Sequence, residues 1–205
     1  MLRLHGHELS GNSAKVRLLL DLLGVPYEWV RVDLMKGEHK QPPFLALNPF
    51  GQVPVLEEGA SVLSDAQAIL YYLAVRQGDG QWLPVDPYEQ AKVVRWLSTA
   101  AGEVRQGPEN ARLFHRFGVK SLSIERAREK SSFILGQLDR HLSDRQWLEL
   151  ERPTIADIAV FPYIALAGEG GIGLTPYPDV LAWIRRIQAL PGYAPIAGLD
   201  AELSL

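Results

Sequence analysis

Asn48-Pro49-Phe50-Gly51-Gln52-Val53-Pro54, running directly into Val55-Leu56, places a proline where a β-strand should be opening. Two readings fit these residues. Pro54 is an edge-strand proline, or the Val53–Pro54 bond is cis and turns the chain so that the N–H and C=O of Val53 face outward, free to pair with a short peptide in β fashion. Downstream, Gln52 to Leu56 and Ser61 to Leu63 flank Glu57-Glu58-Gly59-Ala60, the pattern of an antiparallel hairpin with glycine in its turn. Asp65 then precedes Ile69, Tyr72 and Leu73 at i, i+3, i+4 spacing, which predicts a helix ending near Gly78. Upstream, Pro42 and Pro43 leave room only for a short helix around Phe44 to Leu47. Before that, Tyr27 to Asp33 alternates as a strand, and Val16, Leu19, Leu20 and Leu23 share a helix face that Gly24 stops. Leu2 and Leu4 alternate with polar residues at the start of the chain. Up to about Gln77 the order is β-α-β-α-β-β-α, an α/β layer structure.

From Asp79 to Pro87 periodicity gives way to Gly, Pro, Asp and Gln, the composition of a linker. Everything after it reads helical: Ala91, Val94 and Leu97 in one pattern, Ile124, Ala127, Ser131, Ile134, Leu138 and Leu142 along one face, and Val180, Trp183, Ile184 and Ile187 on another. The expected division is an α/β domain over 1–78, a linker over 79–87 and an all-helical domain over 88–205. The 205 residues are 47% hydrophobic and 22% charged, with a formal charge of −3, so no strong positive field attracts nucleic acid or an anionic membrane. No apolar run is long enough to span a bilayer, and Met1 to His7 lacks a signal-peptide pattern, which points to the cytoplasm. The chain contains no cysteine, so any thiol chemistry must use a ligand's thiol.

Ser10-Gly11-Asn12-Ser13 lies between the first strand and the first helix, where unpaired N–H groups and the helix dipole favour negative charge. Ser10 or Ser13 serves there as an N-cap, or donates a hydrogen bond to a ligand sulfur and favours its thiolate. Asp65-Ala66 opens a helix whose N–H groups suit a carboxylate while Asp65 accepts from an amine, the two groups of an amino-acid head; the same residue also reads as a simple cap. Thr154-Ile155-Ala156-Asp157 has the form of a capping box, a structural signal. His5 and His7 have no third ligand nearby in sequence, so a metal site is not expected. Lys36, His39 and Lys40 form a basic group that reads as a solvated loop or as a partner for a terminal carboxylate.

In their order and spacing, Ser10 to Arg17, Leu23-Gly24-Val25-Pro26-Tyr27, Asn48 to Pro54, Ala68 to Leu73 and Thr154 to Ile158 resemble the cytosolic glutathione transferase superfamily, bacterial serine type, over essentially the full chain. The resemblance implies a thioredoxin-like domain that binds glutathione as co-substrate, a helical domain, a hydrophobic acceptor site between them, a homodimer and no metal. It makes Ser10 the catalytic serine, with Ser13 as a second hydroxyl, and gives Val53 the cysteinyl backbone, Pro54 the cis proline, and His39 with Lys40 the glycine carboxylate. Gln52, Asp65 and Ala66 complete the glutathione-binding set. One departure is that Asp65-Ala66 stands where the family usually has Glu or Gln followed by Ser, so a hydroxyl hydrogen bond to the γ-glutamyl carboxylate is missing. Arg112, Phe114, His115 and Phe117, in a stretch that reads as irregular, and His7 at the pocket rim, are the expected acceptor residues. Transfer to a small hydrophobic electrophile is the leading reading. Glutathione-dependent reduction of a disulfide substrate and a transferase-shaped binding or interaction protein without catalysis are the alternatives.

Overall fold

The computed structural model describes residues 1–77 and 79–198. Gly78, where the predicted third helix and first domain end, and the last seven positions of the predicted helical domain, 199–205, lie outside the described residues. Strand β1 (Leu2–Gly6) runs parallel to β2 (Tyr27–Arg31) and antiparallel to β3 (Val55–Glu58), which turns through Gly59 into β4 (Ser61–Ser64). The strand order is β2-β1-β3-β4. Helix α1 (Gly11–Leu22) supplies the crossover between the parallel pair, which a tight turn could not join. A 3-10 turn (Glu38–Lys40) and the short α2 (Pro42–Leu47) join β2 to β3, and α3 (Ala66–Gln77) follows the hairpin. β3 begins after Pro54 and not at Gln52, because a residue without an N–H cannot enter the ladder between β1 and β4.

Among the described residues, the second half holds helices and no strand. α4 (Pro87–Thr99) continues without a break into a π-helical stretch (Ala100–Glu109) and then α5 (Asn110–Phe117). The stretch around Arg112 to Phe117, expected to be irregular, is therefore helix. Gly107 and Pro108 conceal it in the sequence: proline donates no hydrogen bond, and the wider π turn carries the chain past it. α6 (Ile124–Leu142), α7 (Ile155–Ala165) and α8 (Pro178–Gln188) complete the fold. Every residue of α7 is buried, and it packs against α1, α3 and α4, so one continuous core spans the two halves. Among the described residues no helix is long and apolar enough to cross a membrane.

The start of α7 is pinned by Asp157. Its carboxylate accepts from the N–H of Thr154 (2.9 Å) and of Leu148 (3.0 Å), from the indole of Trp183 (2.9 Å) and from the Thr154 hydroxyl (3.3 Å). Thr154 in turn accepts from the Ala156 N–H, so the capping box read from sequence is present. Burial pushes the Asp157 carboxyl up to about 6, and the four donors hold it ionised above that. Asp157→Ala would leave those donors buried and unpaired. It is expected to lower stability by about 3 kcal/mol in urea unfolding, whereas a loss under about 0.5 kcal/mol would show that the box is dispensable.

Candidate active site

A cleft of about 590 Å³ opens between the sheet end of the first half and the α4–α5 helix of the second. Its floor starts at Ser10, the N-cap of α1: the Ser13 N–H donates to Ser10 Oγ at 3.2 Å, which leaves the Ser10 hydroxyl proton to point elsewhere. Ser10 lines the cleft, so it can be both cap and donor to an anion. Ser13 cannot share that second role from where it sits. It is fully buried, does not line the cleft, and its Oγ accepts from the His7 N–H at 3.3 Å.

The wall opposite is the loop that opened the sequence analysis. The Val53–Pro54 bond is cis, and the Val53 side chain packs on the small cluster of Val32, Phe44 and Val55. That anchoring presents the Val53 backbone, whose N–H and C=O have no partner among the described residues, to the cleft. Asn48 is buried and shapes the loop, donating to the Gln52 carbonyl at 2.8 Å and accepting from the Phe50 N–H at 3.1 Å. Gly51 has a positive φ of 56°, and a Cβ on it would lie 2.6 Å from the His39 carbonyl oxygen, so only glycine fits. Lys40 closes the loop by donating to the carbonyls of Phe50 (3.1 Å) and Gly51 (2.9 Å), which leaves one ammonium proton for a ligand. His39 beside it keeps a buried Nδ1 without a partner; burial, and then the charge of Lys40, lower its pKa.

At the start of α3, Asp65 sits at φ 74° and its Oδ1 accepts from the N–H groups of Gln67 (2.8 Å) and Ala68 (3.2 Å). Asp65 thus occupies two of the amides that sequence reasoning assigned to a carboxylate. The Ala66 N–H and Asp65 Oδ2 remain for a ligand, and both residues line the cleft with Gln52 and Ser64.

The acceptor residues expected from sequence stand elsewhere. His7 is buried behind α1, where with Glu8, Arg17 and Asp21 it borders a void of about 10 Å³. Arg112 is 2% exposed, paired to Glu169 and donating to the Leu9 carbonyl at 2.8 Å. Phe114, His115 and Phe117 do not reach the cleft either. The face of the helix that does carries Ala101, Arg105, Glu109 and Leu113, each four residues on, with Ala100 beside them and Tyr163 from α7. The sequence gives this face no apolar signature, which is why periodicity passes over it.

Two more residues escaped the sequence reading. Asn12 lines the cleft and its Oδ1 accepts from the ammonium of Lys15 at 2.8 Å. Lys15 is fully buried over the ring of Tyr163, with its Nζ 5.2 Å from the centroid, and burial lowers its pKa to about 8. Burial, and then the charge of Glu109, raise the Tyr163 pKa well above that of free tyrosine. Glu109, 8% exposed, is pushed upward by burial while Lys15, Arg105 and Arg112 pull it back down. The cleft therefore offers a hydroxyl at a helix N-terminus, an open backbone edge, a lysine at one end and a carboxylate at the other. Groups of these kinds can pair with an amine, a carboxylate and the backbone of an extended peptide.

Two family models match: the glutathione S-transferase N-terminal domain over residues 9–76 and the glutathione S-transferase C-terminal domain over residues 110–191. Glutathione S-transferase 3 of Zea mays is 33% identical over 204 residues, covering 94% of this chain and 91% of the relative. The crystal structure of a glutathione S-transferase from Pseudomonas fluorescens Pf-5 superposes with a TM-score of 0.88 at 34% identity, covering 96% of this chain and 98% of that one. A second transferase family member from Pseudomonas fluorescens Pf-5, with two glutathione bound, gives 0.85 at 29% identity over 93% and 89% of the two chains. In sequence and in fold, the chain belongs to the glutathione S-transferase family.

Proposed function

We propose that the protein is a glutathione transferase in which glutathione lies along Val53, with its sulfur at Ser10, and its thiolate attacks an electrophilic carbon held against the α4–α5 helix. The single observation that carries this is that Ser10, Val53 and Asp65 line one cleft, a hydroxyl, an open backbone edge and a carboxylate that suit the thiol, the cysteinyl backbone and the amine of a γ-glutamyl tripeptide. The glycine carboxylate meets Lys40 and His39, the cysteinyl backbone pairs with Val53, and the γ-glutamyl amine meets Asp65 while its carboxylate meets the Ala66 N–H and Gln52. Attack forms a carbon–sulfur bond, and the leaving group departs with its electron pair. The protein contributes thiolate stabilisation and proximity, and its lack of cysteine leaves the nucleophile wholly to the co-substrate. Ala100, Ala101 and Leu113 give the acceptor side small and apolar surfaces, suiting a compact hydrophobic substrate. We also propose the domain division at 79–87, a cytoplasmic location and a homodimer. Val62 on β4, Tyr71 and Val75 one turn apart on α3, and Val94 on α4 are exposed apolar side chains that a second copy would cover.

Ser10→Ala removes a hydrogen bond to an anion, so about ten-fold less thiolate is expected at neutral pH, read as ultraviolet thiolate absorbance of bound glutathione; an unaltered titration moves the role to another donor. Ala66→Ser restores a hydroxyl at the γ-glutamyl carboxylate and is expected to tighten glutathione binding about 3- to 10-fold by calorimetry; no tightening would contradict the placement of that group. Sedimentation equilibrium should give a dimer for the native chain and a monomer for Val75→Glu, and a native monomer at micromolar concentration would remove the dimer proposal.

A further inference from the structure

Lys15 is the most unusual charged residue in the molecule. It lies on the buried face of α1, among Ser13, Ala14, Val16 and Leu18, and it is 0% exposed. Burying an ammonium is costly unless a counter-charge or hydrogen bonds offset it. Yet among the described residues no carboxylate lies within ion-pair distance of it; its direct partner is the neutral carboxamide oxygen of Asn12. The carboxylates that attract it from further away are Glu109, at the end of the π-helical stretch, and Asp65, ahead of α3. Both line the cleft. The ammonium thus stands one layer beneath the thiol site, behind Asn12 and Tyr163, with its field open towards the ligand.

The groups facing Lys15 from each packed element give the local balance. From α1 comes Asn12, neutral; from α7 Tyr163, kept neutral by burial; from the π-helical stretch Glu109 and the repelling Arg105; and from the turn before α3 Asp65. Arg112, which also acts on Glu109, shares the carboxylate of Glu169 with Arg116. Lys15 and Arg105 then face one carboxylate at the seam. When the ligand's amine neutralises Asp65, positive charge is in excess beside the sulfur. Lys15 also fixes the Asn12 carboxamide: an ammonium only donates, so the oxygen must face it and the amide N–H₂ is turned away from it.

Resting on the glutathione reading above, we propose that Lys15 is a positioning residue for the thiol site: held under the first turn of α1 and opposed by Glu109 of the helical half, it biases the bound thiol towards its anion without touching it. The two halves of the chain are then coupled electrostatically, because the cation comes from one and its moderating carboxylate from the other. A purely structural ion pair would behave differently, since losing either partner would disturb the seam in the same direction.

The experiment is an ultraviolet titration of the thiolate of bound glutathione in the native protein, in Lys15→Met and in Glu109→Gln, with calorimetry for occupancy and circular dichroism for folding. Lys15→Met keeps the length of the stem and removes the charge; the thiolate fraction below the midpoint of the titration is expected to fall about ten-fold. Glu109→Gln keeps the shape and the acceptor oxygen for Tyr163 and removes the opposing charge, so the fraction is expected to rise. Shifts of opposite sign establish the field. Coincident titrations, or shifts of the same sign in two variants that bind glutathione, overturn it. Should Lys15→Met not fold, the direction of the Glu109→Gln shift alone decides. Absence of glutathione binding by the native protein would instead sink the reading on which this rests.

Discussion

The contact between Gly11 and the ring of Tyr163 is the constraint on which the site depends. A Cβ on Gly11 would lie 2.7 Å from that ring, so the first turn of α1 meets the core helix of the second half with no side chain between them. At that approach Asn12 and Glu109 stand beside the phenol and act on it. Ser10, one residue earlier, stays on the open side of the same turn. The cleft floor at Ser10 is consequently built where two layers of the molecule are in contact.

This arrangement explains why a helix start with only modest hydrogen-bonding capacity can favour an anion. Ser10 Oγ already accepts from Ser13, so it brings one donor to the cleft, and Ser13 Oγ is spent on the His7 N–H. One hydroxyl hydrogen bond to a charged group is worth about 1.5 to 3 kcal/mol. Oriented charge behind it, in a region from which water is excluded, acts over a longer range than a hydrogen bond and needs no reorganisation when the thiol ionises. Asp65 works in the opposite sense while the cleft is empty, attracting Lys15 across it. A ligand amine on Asp65 removes that competition, so occupancy of one end of the cleft improves the other.

Much of the first half was legible because glycine and proline punctuate it. Gly24, Pro42-Pro43, Gly51, Pro54 and Gly59 each stop one period and start another, and the β-α-β-α-β-β-α order follows from them. The Asn48–Pro54 loop was legible for the same reason: Gly51 and Pro54 mark its turn by their own chemistry, although Lys40 and the cluster of Val32 and Phe44 also hold it. Asp65 was legible as a cap and as a cleft residue, though not as both together. The residues that escaped share one cause. A lysine on a helix is normally a solvated residue, and only the arrival of Tyr163, about 150 positions later, buries Lys15. Arg105 and Glu109 look like the polar face of an ordinary amphipathic helix until the second half docks and makes that face a wall.

The misplaced acceptor wall traces to the π-helical stretch. Over Ala100–Glu109 the chain advances more than 3.6 residues per turn, so α5 presents a different face from the one a regular α-helix continued from α4 would present. Close packing fixes this geometry: a Cβ on Gly107 would approach the backbone of Ser131 to 2.8 Å, which seats the stretch directly on α6. Pro108, which could not serve inside a regular α-helix without loss, falls in this same widened region. The rotation turns Arg112 inward to Glu169 and the Leu9 carbonyl, and leaves Arg105, Glu109 and Leu113 facing the cleft. A local departure from helical pitch thus decides which side chains an acceptor meets, and it delivers Glu109 to the one place where its charge opposes Lys15.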